Sequence, residues 1–288
     1  MLRRSLTILT VASVLGLTGI TTPSVAQDPA PGAETPQTFR HVAAGEATDY
    51  GYKLFLPDGY TPDAAGGFPL IYNHHGAGGN GSNLGQIGGA AVLVRGQADF
   101  PFIVLSPQVP RNPDWNIVPE ALLALLDDVA SLHNVDETRI YMTGFSQGGF
   151  LTWVLGMMEP ERFAALAPVA GGTNLMSLCR AMRSVGVPCG AAPDTVIDAC
   201  VLTDVPIWAF HGSADTIVRP LEAQTYVDAL ASCSGNAQMT LTPGLGHSTG
   251  PAYVGGALVD WFASHQRAPE ATAVDAGDKL ATTWGGLR

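Results

Sequence analysis

Two patterns of hydrophobic residues alternate along this chain. Short continuous apolar runs, such as 102–105, are typical of strands buried on both faces of a sheet. Between such runs, apolar residues recur at helical spacing, and the stripe over 118–132 predicts a helix with one buried side. Strands that alternate with helices predict an α/β protein, with a mostly parallel central sheet and helices on both faces.

The same pattern predicts the individual elements. An early antiparallel strand is predicted over 50–57, where apolar and polar residues alternate. Further strands are predicted at 68–72, 102–105, 139–145, 163–169, 205–210 and 239–242. Further helices are predicted over 147–158, from Pro220 onward, and over 253–265.

One predicted strand ends in a turn that carries a serine. The run 139–149 passes from apolar residues through Gly-Phe-Ser-Gln-Gly into a helix, with Ser146 at the turn. A serine at so sharp a strand-to-helix turn has a strained backbone and an exposed hydroxyl. Because glycine has no side chain, Gly144 and Gly148 allow the turn to close against its neighbours.

Two more strands end in loops that present an acid and a base. Asp215 follows the strand at 205–210, and His247 follows the strand at 239–242. A serine hydroxyl is a weak nucleophile until a base takes its proton, so His247 is predicted to be that base and Asp215 to orient it. His211 is the competing histidine, but its place at a strand end before a glycine favours a structural role.

A glycine-rich loop after the strand at 68–72 completes this set. We expect the backbone N–H groups of Ala77, in that loop, and of Gln147, after the serine, to form an oxyanion hole. His75 and Trp115 are candidates for substrate contact, although His75 also fits ordering of the loop and Trp115 fits packing. The histidine spacing does not favour a metal site, and no cofactor is expected.

The chain ends differ in composition from its centre. Arg3 and Arg4, an apolar stretch and Ser-Val-Ala before residue 27 predict a signal peptide over 1–26, and hence a secreted or periplasmic protein without stable membrane insertion. Residues 27–38 are predicted to be a flexible leader, 39–267 one catalytic domain, and 268–288 a peripheral tail. Within the domain, 171–204 is longer than a connection needs and is predicted to be an insert near the cleft.

Export makes disulfides plausible for the four cysteines. Cys200 precedes the strand at 205, and Cys233 ends the helix that returns beside it, so position favours this pair among the three possible pairings. Cys179 would then pair with Cys189 and close a small loop.

Charge limits the class of partner. With 14 basic and 25 acidic residues, the net charge is −11. An acidic chain without basic clusters argues against nucleic acid as a partner. Oligomeric state is not encoded in any pattern found here.

These motifs together resemble the α/β-hydrolase superfamily, in which the nucleophile, acid and histidine follow the order seen here. The more specific resemblance is to secreted bacterial esterases of the predicted-peptidase, feruloyl-esterase and polyhydroxybutyrate-depolymerase groups. It is carried by the segments 52–60, 75–79, 106–108, 136–149 and 211–215, and by Trp153. The resemblance implies an α/β-hydrolase fold and cleavage of a carboxylic ester, polymeric or small, through an acyl-enzyme.

Other functions share parts of this machinery. A serine peptidase would differ only in its substrate pocket, and an acyltransferase would pass the acyl group to an acceptor other than water. A non-catalytic binding protein is the remaining alternative, and it is disfavoured because every catalytic position is filled.

Overall fold

The computed structural model describes residues 29–88, 92–93, 100–184, 186, 189 and 198–268. The predicted signal peptide and the predicted tail beyond residue 268 lie outside the described residues. None of the helices in these ranges has the length and apolar character needed to cross a bilayer.

Eight strands form one sheet in the order β1-β2-β4-β3-β5-β6-β7-β8. β2 runs antiparallel to both of its neighbours, and the pairings from β4 through β8 are parallel. The strands are β1 (Glu34–Ala43), β2 (Glu46–Phe55), β3 (Phe68–His74), β4 (Ile103–Pro107), β5 (Val135–Phe145), β6 (Ala165–Val169), β7 (Ile207–Gly212) and β8 (Ala237–Thr242). The predicted mostly parallel sheet is confirmed.

Helices cover both faces of this sheet. They are α1 (Val118–Leu132), α2 (Gln147–Met158), α3 (Leu175–Ser184), α4 (Pro220–Ser232) and α5 (Ala257–Ala263). One core layer joins the sheet to α1, α2, α3 and α4, and a second joins its other face to α5. Two core layers form because successive side chains of a strand point to opposite faces of the sheet. In β5, Tyr141 belongs to the second layer and Met142 to the first.

Strand register brings the functional loops together. His74 at the end of β3 lies opposite Gly144 of β5, and Phe145 lies opposite Val169 of β6. Because parallel strands end at the same edge, the loops after β3, β5, β7 and β8 meet there.

Two predicted boundaries differ from the structure. The leader predicted over 27–38 is not flexible throughout, because β1 begins at Glu34 and pairs with β2 from there. The sequence pattern missed this stretch because edge-strand side chains are largely exposed, so no apolar alternation marks them. The last helix, predicted over 253–265, is restricted to Ala257–Ala263.

Candidate active site

Ser146 occupies the turn between β5 and α2 in a strained backbone conformation. Its φ of 56° and ψ of −114° lie where non-glycine residues are rare. The packing around the turn leaves no room for side chains on its glycines. A Cβ on Gly144 would lie 2.6 Å from the carbonyl carbon of Gly148, and a Cβ on Gly148 would overlap the carbonyl oxygen of His74. The predicted serine turn therefore requires glycine at both of these positions.

The three side chains singled out by the sequence meet at this edge of the sheet. His247 Nε2 lies 2.8 Å from Ser146 Oγ, and His247 Nδ1 lies 2.7 Å from Asp215 Oδ2. The Phe145 ring packs beside the imidazole, with 4.9 Å between the ring centroids. This chain of hydrogen bonds can carry a proton from the hydroxyl to the imidazole while the carboxylate stabilises the resulting charge.

Backbone groups hold the Asp215 carboxylate in place. Its Oδ1 accepts hydrogen bonds from the N–H groups of Ile217 and Val218, at 2.9 and 3.0 Å, which leaves Oδ2 directed at His247. His211 Nε2 lies 3.3 Å from the same oxygen and donates to the carbonyl of Val218. Burial lowers the pKa of His211, so this ring is a neutral neighbour of the carboxylate.

The predicted oxyanion donors both begin helical turns. Ala77 opens the short 3-10 turn Ala77–Gly79 after β3, and Gln147 is the first residue of α2. The N–H groups at the start of a helical turn lack carbonyl partners within that turn. Ala77 lines the same pocket as Ser146 and His247.

A pair of buried amide side chains ties these two turns together. Asn80 Nδ2 donates to Gln147 Oε1 at 3.1 Å, and Gln147 Nε2 donates to Asn80 Oδ1 at 2.7 Å. Asn80 also donates its backbone N–H to the carbonyl of Ala77. Sequence reasoning did not identify Asn80, because nothing in its spacing indicates a partner 67 positions away.

The loop after β3 is also attached to the loop after β4. His75 Nε2 accepts the N–H of Val109 at 3.0 Å, and His75 Nδ1 donates to the carbonyl of Gly76 at 2.6 Å. This arrangement needs the neutral ring, and burial lowers the pKa of His75 to about 4. Gln108 Nε2 adds a bond to the carbonyl of Gly79 at 2.7 Å. His75 thus orders the loop, and with both ring nitrogens engaged it has none left for substrate.

A pocket of about 260 Å³ opens over the serine. Ser146 and His247 form its floor together with the loop residues Gly76, Ala77 and Gly78. Its far wall is apolar and comes from α3 and the loop after Asp215: Leu178, Ala181, Met182 and Ile217. The insert predicted near the cleft therefore supplies one side of the pocket.

One of the two disulfides involves the helix that forms this wall. Cys179 on α3 is bonded to Cys189, and Cys200 is bonded to Cys233 at the end of α4, which are the two pairs favoured by position. The indole of Trp115 donates to Cys189 Sγ at 3.0 Å and is fully buried. The prediction that Trp115 contacts substrate is therefore wrong. Its indole packs against the disulfide in the core and is inaccessible to a ligand.

No metal-binding group was found among the described residues: no three histidine, cysteine, aspartate or glutamate side chains lie close enough to hold an ion. His74 is 2% exposed and packs against Tyr72, with 4.2 Å between the ring centroids. Burial lowers the pKa of His74 to about 3, so the ring is neutral at physiological pH.

Comparison with known proteins agrees with this fold. Residues 118–183, which include the serine turn, match the prolyl oligopeptidase family (Peptidase_S9). A Salmonella typhimurium protein named "Putative carboxymethylenebutenolidase" is 27% identical over 185 residues, which cover 58% of this chain and 61% of that protein. Poly(3-hydroxyalkanoate) depolymerase C of Paucimonas lemoignei is 28% identical over 122 residues, which cover 38% of this chain and 29% of that protein. The chain thus spans less than two thirds of these relatives' length.

Solved structures share the fold. A thermostable esterase superposes with a TM-score of 0.64 at 27% identity, over 81% of this chain and 63% of that one. The acylaminoacyl peptidase of Pyrococcus horikoshii superposes with a TM-score of 0.57 at 15% identity, over 84% of this chain and 44% of that one, which shows the fold alone. From sheet order, serine turn and relatives together, the chain is an α/β-hydrolase, a member of a superfamily of hydrolytic enzymes, with relatives of the esterase type.

Proposed function

We propose that this protein is an exported serine esterase that cleaves carboxylic esters through an acyl-enzyme. The observation that carries the proposal is the hydrogen-bond chain from Ser146 Oγ through His247 to Asp215, at 2.8 and 2.7 Å. These distances match those expected for a nucleophile, its base and the group that orients the base.

The reaction would proceed in two halves. His247 Nε2 takes the hydroxyl proton of Ser146 as Ser146 Oγ attacks the ester carbonyl. The N–H groups of Ala77 and Gln147 then hold the oxyanion. His247 then gives the proton to the departing alcohol, which leaves the acyl group on the serine. Water, activated by the same imidazole, releases the acid. Each oxyanion donor would contribute about 3–4 kcal/mol of transition-state stabilisation.

Export is the second part of the proposal. Its support is the leader composition of residues 1–26 together with two disulfides, which form and persist in oxidising compartments. The depolymerase relative is named for action on a polymer, and a polymeric ester or its fragments is the substrate class we propose to test first.

Peptide cleavage is a second candidate, favoured by the match of residues 118–183 to the prolyl oligopeptidase family. The same triad and oxyanion donors serve both reactions. Parallel assays with 4-nitrophenyl esters and with matched peptide 4-nitroanilides separate the two functions. A peptidase turns over both kinds of substrate, whereas an esterase turns over only the esters.

Replacing the nucleophile tests the proposal directly. We expect Ser146→Ala to lose roughly 10⁴-fold or more of kcat on a short 4-nitrophenyl ester, because the hydroxyl that forms the acyl-enzyme is removed. Ser131→Ala removes an exposed hydroxyl at the end of α1 and serves as the matched control. Parent-level turnover by the folded Ser146→Ala protein, or failure of a fluorophosphonate to label Ser146, would refute the assignment.

A further inference from the structure

A groove of about 500 Å³ lies beside the catalytic pocket, between α3 and the beginning of α4. Ala181 and Ile217 line both the groove and the pocket. The two spaces are therefore neighbours on either side of these residues, so a group held in the groove would lie close to the pocket that contains Ser146.

Two arginines face this groove. Arg180 comes from α3 and Arg219 immediately precedes α4, and both are exposed. Among the described residues neither forms an ion pair, whereas Arg40, Arg139 and Arg162 each pair with a carboxylate elsewhere. In a chain of net charge −11, these two guanidinium groups, which form no ion pair with the described residues, contribute local positive charge beside the catalytic pocket.

The acidic member of the groove does not neutralise this region. Glu222 is its one carboxylate among the described lining residues, against two guanidinium groups. A Cβ added to Gly172 would lie only 2.6 Å from Glu222 Oε2. The carboxylate therefore packs against the backbone at Gly172. Hydroxyl groups of Ser177 and Thr216 add neutral hydrogen-bonding capacity.

We infer that this groove binds a carboxylate carried by the substrate, away from the ester bond that is cleaved. The inference rests on the proposed ester hydrolysis and deepens it. A guanidinium donates two parallel N–H bonds to a carboxylate, which makes arginine suited to this ligand. The substrate class is therefore acid-terminated esters, such as half-esters of dicarboxylic acids or the carboxyl-ended fragments of a polyester.

Matched pairs of esters test this recognition. 4-Nitrophenyl glutarate and 4-nitrophenyl valerate have the same length and differ in a terminal carboxylate or methyl group on the acyl side. 4-Carboxyphenyl acetate and 4-methylphenyl acetate make the same comparison on the alcohol side. For each pair the measured quantity is the acid preference, the ratio of kcat/KM for the charged ester to kcat/KM for the neutral one.

We expect Arg180→Gln and Arg219→Gln to lower the acid preference on at least one pair, each by about two- to fivefold, the usual effect of losing an ion pair at an exposed site. High sodium chloride should lower the preference of the unchanged protein as well. Arg40→Gln is the control, because it removes the same charge from the exposed edge strand β1 and should leave the preference unaltered.

The outcomes separate this inference from the proposed function. An acid preference that both arginine variants leave unchanged on both pairs would overturn the groove assignment while esterase activity stands. Absence of Ser146-dependent hydrolysis of the neutral esters would instead overturn the esterase. In that event, NMR titration of Ser146→Ala with monomethyl glutarate and methyl valerate still tests the groove assignment. Tighter binding of monomethyl glutarate, lost in the arginine variants, supports the assignment. Equal binding of the two ligands refutes it.

Discussion

The Asn80–Gln147 amide pair predicts a catalytic effect from a side chain outside the triad. Replacing Asn80 by leucine, which has a similar shape, removes both reciprocal hydrogen bonds of 3.1 and 2.7 Å. The buried Gln147 amide then has no partner for its Oε1 and Nε2. Because Asn80 follows the turn that contains Ala77, the two oxyanion donors lose the side-chain link that sets their separation.

The magnitude follows from these two bonds. Leaving a buried polar group unsatisfied costs about 1–3 kcal/mol, so the free energy of unfolding should fall by about 2–6 kcal/mol for the two atoms together. An oxyanion donor contributes about 3–4 kcal/mol, so losing a third to a half of that through misplacement lowers kcat by roughly 5- to 30-fold. KM should change little, because the lost stabilisation belongs to the transition state.

Steady-state kinetics on a short 4-nitrophenyl ester, with thermal unfolding measured on the same samples, checks this reasoning. Asn83→Leu is the matched control, since Asn83 lies in the same loop, is exposed, and its side chain accepts one local bond from Gly85. Gln147→Leu and the double variant complete a cycle, in which the double loss of kcat should be smaller than the product of the single losses. A kcat within twofold of the parent, despite reduced stability, would show that the pair is structural and does not position the oxyanion hole.

Two further predictions concern stability and the pocket wall. The pKa of His74 is about 3 in the folded protein because of burial, and the unfolded value is about 6.5, so this ring reduces stability as pH falls below about 6.5. His74→Phe should therefore shrink the loss of unfolding free energy between about pH 7.5 and pH 5 by about 2 kcal/mol in urea titrations, and an unchanged pH dependence would contradict this. Replacing both Cys179 and Cys189 by serine frees the wall that carries Leu178, so KM for short esters should rise about threefold or more with kcat nearly constant, as expected when uniform binding is lost. The same double replacement at Cys200–Cys233, which lies at the end of α4, is the comparison, and an equal KM effect from both pairs would show that the wall has no special role.

Much of the fold was predictable because it depends on local pattern. The helices over 118–132 and 147–158 end where predicted, since their apolar spacing and the proline at 160 act within a few residues. The order of Ser146, Asp215 and His247 was equally readable, because each follows an apolar strand and parallel strands end at one edge. The Cys200–Cys233 disulfide followed from the same reasoning about strand ends, and Cys179–Cys189 was the pair that then remained.

Other features needed the folded molecule, because they depend on contacts between segments far apart in sequence. Trp115 is in a loop whose sequence fits exposure or burial equally well, and its burial depends on the disulfide that packs over it. The start of β1 depends on pairing with β2, since its own residues show no apolar alternation. The partnership of Asn80 with Gln147 likewise arises from the packing of a loop against the start of a helix. Local sequence determines which elements form and where each ends, whereas the partners of their side chains are decided by how those elements pack.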